Sequence, residues 1–269
     1  MPTALVKDVL WRVSGQLLDT SPQFARFAER DMVHFLNDAQ VAINKFVPTA
    51  AARLDAVKLA AGSRQGIATI PAASCKPADG STPSVPIYGT QFLSPRRNMG
   101  ANGTTPGAAI RILDRDALDA SDPLWHTRTG TTIKGVVVDP QTPLWFYVYP
   151  GVPPTTDVWI EQAYNALPLP IPNTATVDSD GVHASGVYSN AQSSTQTITI
   201  SDEHVDDLVN YVLARLLMKD SKYADPVKAA AHTTLFTGSI NAKVTAMTGT
   251  NPNLRMLPGV DVAQQRTAP

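Results

Sequence analysis

Seven apolar residues between positions 205 and 217 limit the fold of this 269-residue chain more than any other feature. Val205, Leu208, Val209, Val212, Leu213, Leu216 and Leu217 follow the i, i+3, i+4, i+7, i+8, i+11, i+12 pattern without a miss. A helix beginning at a Ser201 cap sets all of them on one stripe, and such a stripe has to be covered by other elements. Three segments offer themselves. Leu5, Val9, Leu10, Val13 and Leu17 predict a helix over 4–18. Ser21-Pro22 reads as an N-cap with proline at the first helical position, and Phe24, Phe27, Met32, Phe35, Leu36, Ala39 and Ile43 continue that period to about Phe46, before Pro48. Val227, Ala230, Ala231, Leu235, Gly238 and Ala242 form a weaker stripe of small residues over 222–247 that permits close helix packing.

From Ala56 the character changes to short apolar runs with many Gly and Pro turn signals, such as Asp79-Gly80. Strands are predicted over 109–113, 132–138, 144–149 and 158–163, with Asp139 to Pro143 joining the middle two as a hairpin in a small antiparallel sheet. Residues 165–196 are polar and aperiodic and read as a long exposed loop, and 248–269 read as an extended arm. The predicted class is α+β: a helical bundle formed by N- and C-terminal helix pairs, with a β-rich, loop-rich middle insertion and an extended C-terminal arm. The boundaries are 1–48 for the first helices, 49–200 for the insertion, 201–247 for the last helices and 248–269 for the arm, with bundle and insertion forming one structural unit.

Charged residues make up 17% of the chain, fewer than the quarter or so usual in soluble domains, so part of the surface is expected to face protein and not water. A net charge of -1 gives no electrostatic basis for gripping nucleic acid over a whole face. The lone Cys75 excludes an intrachain disulfide and a thiolate zinc cluster, which fits assembly in a reducing cytoplasm. With no run of about 18 apolar residues and no basic region leading an apolar core at the N-terminus, a soluble, unexported protein without a membrane partner is expected.

Motifs of catalysis are missing. No Gly-x-Ser-x-Gly occurs, and Ala184-Ser185-Gly186 lacks its flanking glycine. Nor is there a phosphate loop or a dinucleotide fingerprint, so no catalytic, cofactor or metal residue is assigned and no enzyme is expected. His34 with Asp38, and His204 with Asp206 and Asp207, have spacings a metal site could use, but they read as a surface or interface pair and as the solvated, acid-rich first turn of a helix. Trp125, Trp145, Trp159, Phe146, Tyr147 and Tyr149 could stack bases, although core or subunit contact is the favoured reading. Arg96 and Arg97 precede a glycine-rich loop, Asn98 to Gly107, and could hold phosphates or pair with carboxylates of a neighbouring subunit. The second is preferred, and Arg96, Arg97, Asn98, Arg111 and Trp125 are taken as candidate subunit-interface residues.

Several separated segments then resemble a family of phage adaptor proteins from podophage-type genomes. They are Lys7-Asp8-Val9-Leu10 with Phe35-Leu36-Asn37-Asp38-Ala39-Gln40, then Ala61-Gly62-Ser63-Arg64-Gln65 with Ile70-Pro71. The most specific is Arg96-Arg97-Asn98-Met99-Gly100-Ala101-Asn102-Gly103-Thr104-Thr105-Pro106-Gly107 with Ala109-Ile110-Arg111 and Asp114-Arg115. Leu118-Asp119, Trp125-His126, Phe146 to Pro150, Val209 to Leu213, Lys219-Asp220 and Ala229 to His232 follow in order, so the resemblance spans 5 to about 236. Residues 72–91 are longer and richer in Pro and Ser than that family's pattern, and the arm carries no family motif. The resemblance implies a virion protein assembled in the host cytoplasm: a dodecameric ring beneath the portal, on which the tail is built and through which DNA passes without sequence-specific binding. Its implied partners are further copies of itself, the portal protein and tail or nozzle proteins. In that setting the apolar Leu254, Met256, Leu257, Val260 and Val262 of the arm are candidates for ordering on the portal surface. The alternatives are another neck or tail component, such as a tubular or nozzle subunit, and a virion-associated hydrolase, which would need a paired acid and base.

Overall fold

A computed structural model describes residues 2–19, 26–78, 80, 83–139, 141–171 and 196–250, with side chains in the last helix described to 246. It is mixed α and β, as the sequence predicts. The chain divides into two compact units, one holding Pro48–Ile171 and Ile198–Ser201, the other Thr3–Val47 and the chain from Asp202.

The second unit is helical: α1 (Val6–Gln16), α2 (Glu29–Phe46), α4 (Val205–Met218) and α5 (Pro226–Thr250). The α4 stripe is buried along Leu208, Val209, Val212, Leu213, Leu216 and Leu217, and α4 touches each of the other three helices. From α1 it meets the side that buries Val9, Leu10 and Val13, and from α2 the side that buries Met32, Leu36, Ala39 and Ile43. Three starting points differ from expectation. Ser21 and Pro22 lie outside the described residues, but Arg26 to Ala28 are not helical, so α2 begins at Glu29. Ser201 does not cap α4. A 3-10 turn, Asp202–His204, comes first, and the Asp202 carboxylate instead accepts hydrogen bonds from the Thr3 and Ala4 amides at 2.9 and 3.0 Å. At α5, by contrast, Asp225 caps Pro226 as sequence rules suggest, accepting from the Lys228 amide at 3.0 Å. The helix runs to Thr250, past the expected start of the arm, and the rest of the arm lies outside the described residues.

The first unit contains two four-stranded sheets where one small sheet is predicted. One has the order β3 (Cys75–Pro77), β1 (Ala52–Lys58), β8 (Trp159–Ala166), β4 (Gly89–Asn98). The other has β2 (Gly62–Gly66), β7 (Trp145–Val152), β6 (Gly135–Val138), β5 (Arg111–Ile112). The hairpin expected at Asp139 is present, with Val138 opposite Phe146, but β5 joins β6 in parallel, against the antiparallel expectation. Pro95 survives in β4 because that strand lies at a sheet edge and its register shifts there. Both sheets feed one core: Val57, Phe92, Ile160 and Tyr164 from the first meet Val136, Phe146 and Val148 from the second, with the Phe92 and Phe146 rings stacked at 4.2 Å. A short helix, α3 (Arg115–Ser121), lies between β5 and β6 in sequence. Of the predicted 165–196 loop, Asn165 and Ala166 belong to β8, and 172–195 lie outside the described residues.

Candidate interaction surfaces

Arg96 and Arg97 lie at the end of β4, before the glycine-rich loop as expected, and the strand also takes in Asn98, the first residue assigned to that loop. Arg97 stands opposite Glu161 of β8 and grips its carboxylate with both arms of the guanidinium, at 2.8 and 3.2 Å, which holds its pKa above the ordinary value. Asn98 is buried. Its amide donates to the Ala108 and Ile133 carbonyls, both at 2.9 Å, and accepts from the Ile133 amide at 2.8 Å, tying the strand to both ends of the segment that follows. Arg96 and Arg111 point into solvent with no ion pair among the described residues.

The glycine-rich loop is held in one shape. Gly100 and Gly103 have φ of 67° and 71°, the left-handed region that glycine enters without strain. The Asn102 side chain accepts from the Thr104 amide at 3.1 Å, and the Lys76 ammonium donates to the Asn102 carbonyl while lying 5.1 Å over the Trp159 ring. Gly103 rests on that same ring: a Cβ there would come within 2.7 Å of it. Gly103→Ala is therefore expected to cost roughly 1–3 kcal/mol, from the backbone and the overlap together. Thermal melting checks it; an unchanged midpoint would show the loop to be loosely held. Anchored in this way, Thr104 to Ala109 are presented to solvent as a fixed relief.

Trp125 is fully buried beside Leu118 and Val137. Its indole N–H donates to Asp119 at 2.6 Å, His126 stacks on it at 3.5 Å, and Tyr147 meets it edge-on at 6.1 Å. Trp159 is buried as well, whereas Trp145 is partly open beneath Arg64 at 4.1 Å. Asp114 caps α3 by accepting from the Ala117 amide at 3.0 Å, the local signal that announced a helix missed in the sequence.

The histidine pairs diverge. His34 and Asp38 are exposed and 3.7 Å apart. His204 and Asp207 are not a solvated turn: both are buried, while Asp206 beside them is 88% exposed at its side chain. The Asp207 carboxylate accepts from His204 Nδ1 at 2.9 Å and from the Lys243 ammonium of α5 at 2.5 Å, and Lys243 also donates to the Glu203 carbonyl at 2.7 Å. Burial by itself would push the Asp207 carboxyl up, but hydrogen bonds from His204, Lys243 and Ser239 hold it below the ordinary value. The cation a metal reading would need is thus supplied by Lys243. Its isolation in the sequence was the available signal, since Lys228 and Lys243 are the only formally charged residues from Pro226 to Thr250. No group of three or more His, Cys, Asp or Glu able to hold a metal occurs among the described residues. No described helix is long and apolar enough to cross a membrane.

These features are surfaces and their supports, and the sequence matches the family model described as SU10 adaptor protein over residues 5–256. The chain belongs to the SU10 adaptor protein family. No curated protein matches the chain. The match begins within a residue of α1 and runs past the end of α5, so both units of this adaptor fall inside it. The resemblance read from the motifs is confirmed at that level: the protein is a structural phage adaptor, of a family of virion components and not of enzymes.

Proposed function

We propose that this adaptor joins capsid to tail, with copies, twelve by the family resemblance, closing into a ring below the portal and leaving a channel for DNA. The observation that carries the reading is the family match across both units. Physical features support it. A ring is built by repeating one heterologous contact, so each copy needs rigid relief and not a reactive group, and the pinned loop from Gly100 to Gly107 is of that kind. A formal charge of -1 suits a channel that DNA passes through without being retained. In this assignment Arg96 and Arg111 meet the next copy directly, while Arg97, Asn98 and Trp125 serve the contact by holding β4, its loop and α3 in place. The helical unit acts as the wedge between neighbours, and Leu254, Met256, Leu257, Val260 and Val262 seat on the portal. Tail or nozzle proteins take the opposite side, in the virion.

Native mass spectrometry of the full chain, alone and mixed with portal, tests the reading. The expected result is association of adaptor copies on the portal as a closed ring; a chain indifferent to portal overturns it. Removing residues 251–269 is expected to leave the melting midpoint unchanged and abolish portal binding, and retained binding would remove the role of that segment.

A further inference from the structure

Within the helical unit a cleft of about 280 Å³ opens beside the α4–α5 turn. Leu213 and Leu217 form its floor, and Arg26, Lys222 and Lys228 stand around it. Arg26 and Lys222 both lie against the Tyr223 ring, at 5.3 and 4.8 Å. The carboxylate lining it, Asp225, is paired to Lys228 at 3.1 Å, so the lining carries three cations against one anion. His232 adds no charge at neutral pH because burial lowers its pKa. One aliphatic side chain stands exposed on the rim among these charges. Leu18 is 80% exposed and held at φ 54°, a region a branched side chain rarely enters. That side chain is free to contact another molecule at the mouth of the cleft.

The opposite character occurs in the β unit, over Ile112 to Leu124. Ile112 and Leu124 are 62% and 68% exposed. Between them are Asp114, Asp116, Asp119 and Asp122, of which Asp119 pairs with Arg115 and Asp122 with Arg128, leaving Asp114 and Asp116 with no ion pair among the described residues. Asp114 and Asp116, flanked by exposed aliphatics, are thus opposite in sign to Arg26 and Lys222 around an apolar floor, and each side keeps its sign when Arg111 beside Ile112 and the Asp19 carboxylate beside Arg26 are counted. We propose that the cleft of one copy receives the Ile112 to Leu124 segment of the next copy, with Leu124 over Leu213 and Leu217 and Asp116 facing Lys222. The contact is heterologous, cleft to segment, so every copy uses one of each, as a closed ring requires. This deepens the ring reading and rests on it. A nucleic-acid phosphate would answer the cations but not the leucine floor and rim, which is why a second copy is preferred.

Cross-linking in assembled particles decides the matter. The native Cys75 is buried and its thiol is pushed up to about 12, chiefly by that burial and then by Asp55, so it stays silent toward oxidants. The full chain carrying Asp116→Cys and Lys222→Cys together is expected to give a ladder of multimers under mild oxidation on a non-reducing gel. Either substitution alone gives monomer. Separately, Lys222→Asp and Asp116→Lys each lower incorporation into particles by roughly tenfold, and the two combined restore it, because an exchanged pair keeps its attraction. A monomer band from the double cysteine chain in particles whose ring is intact overturns this docking and leaves the ring standing. Particles in which copies do not touch one another overturn both. A Lys222→Asp chain that assembles normally but loosens packaged DNA assigns the cleft to phosphate and ends the proposal.

Discussion

Asp207→Ala should lower stability by roughly 3–5 kcal/mol, the range for removing one partner of a buried ion pair. The loss leaves His204 Nδ1, buried, without its acceptor, and it releases Lys243 from the carboxylate that joins the start of α4 to α5. At roughly 2–4 °C per kcal/mol for a chain of this size, the melting midpoint falls by about 10 °C. Asp206→Ala is the control: its side chain is 88% exposed and its change should stay within about 0.5 kcal/mol. Equal effects from the two would show that the pairing to Lys243 contributes nothing. The same carboxyl gives a pH signature. Its pKa in the fold lies below that of the unfolded chain, so its stabilisation is complete above about pH 3.9 and is lost as pH falls through the folded value. Melting curves between neutral pH and pH 3 should therefore drop in the native chain, and Asp207→Asn should remove part of that drop.

Trp125→Ala should be as damaging, at roughly 3–5 kcal/mol, the range for deleting a buried aromatic. The indole is the largest fully buried side chain, it packs on Leu118 and Val137, and it is the donor that holds Asp119. Trp125→Phe, which keeps a ring but drops the donor, should cost about half as much. The measurement is made on dilute adaptor without portal. An unmoved midpoint there, with assembly lost, would show that Trp125 acts between copies and not inside its own unit.

How much could be read in advance differs between the ends and the middle of the chain. The stripe from Leu208 to Leu217 was legible because one helix face is buried along its whole length, and burial of that kind writes a 3.6-residue period into the sequence. Strands β1 and β2 were not, since Ala-Arg-Leu-Asp-Ala-Val-Lys and Gly-Ser-Arg-Gln-Gly show no clean alternation. Asp55 is buried in β1 because Tyr164 and Arg53 satisfy it at 2.6 and 2.8 Å, a pairing that spans more than a hundred residues and leaves no local trace. Strand β4 was hidden by Pro95 and its irregular register.

The interaction residues divide in the same way. Arg96, Arg97 and Asn98 could be singled out from their place before a glycine-rich run, but not told apart. One faces solvent, one is committed to Glu161, and one is buried against Ile133, because the register of this edge strand shifts between Pro95 and Arg97 and simple alternation does not decide which side chain is covered. Sequence alone determined the mixed class, the helical ends, the family and the absence of a recognisable catalytic motif, all properties carried by short-range pattern and composition. Only the tertiary structure decided that there are two sheets, that His204 and Asp207 are buried with Lys243, and that cations from distant segments share a cleft floored by leucines. Those outcomes depend on which remote residues come within a few ångströms of one another, and no local period encodes that.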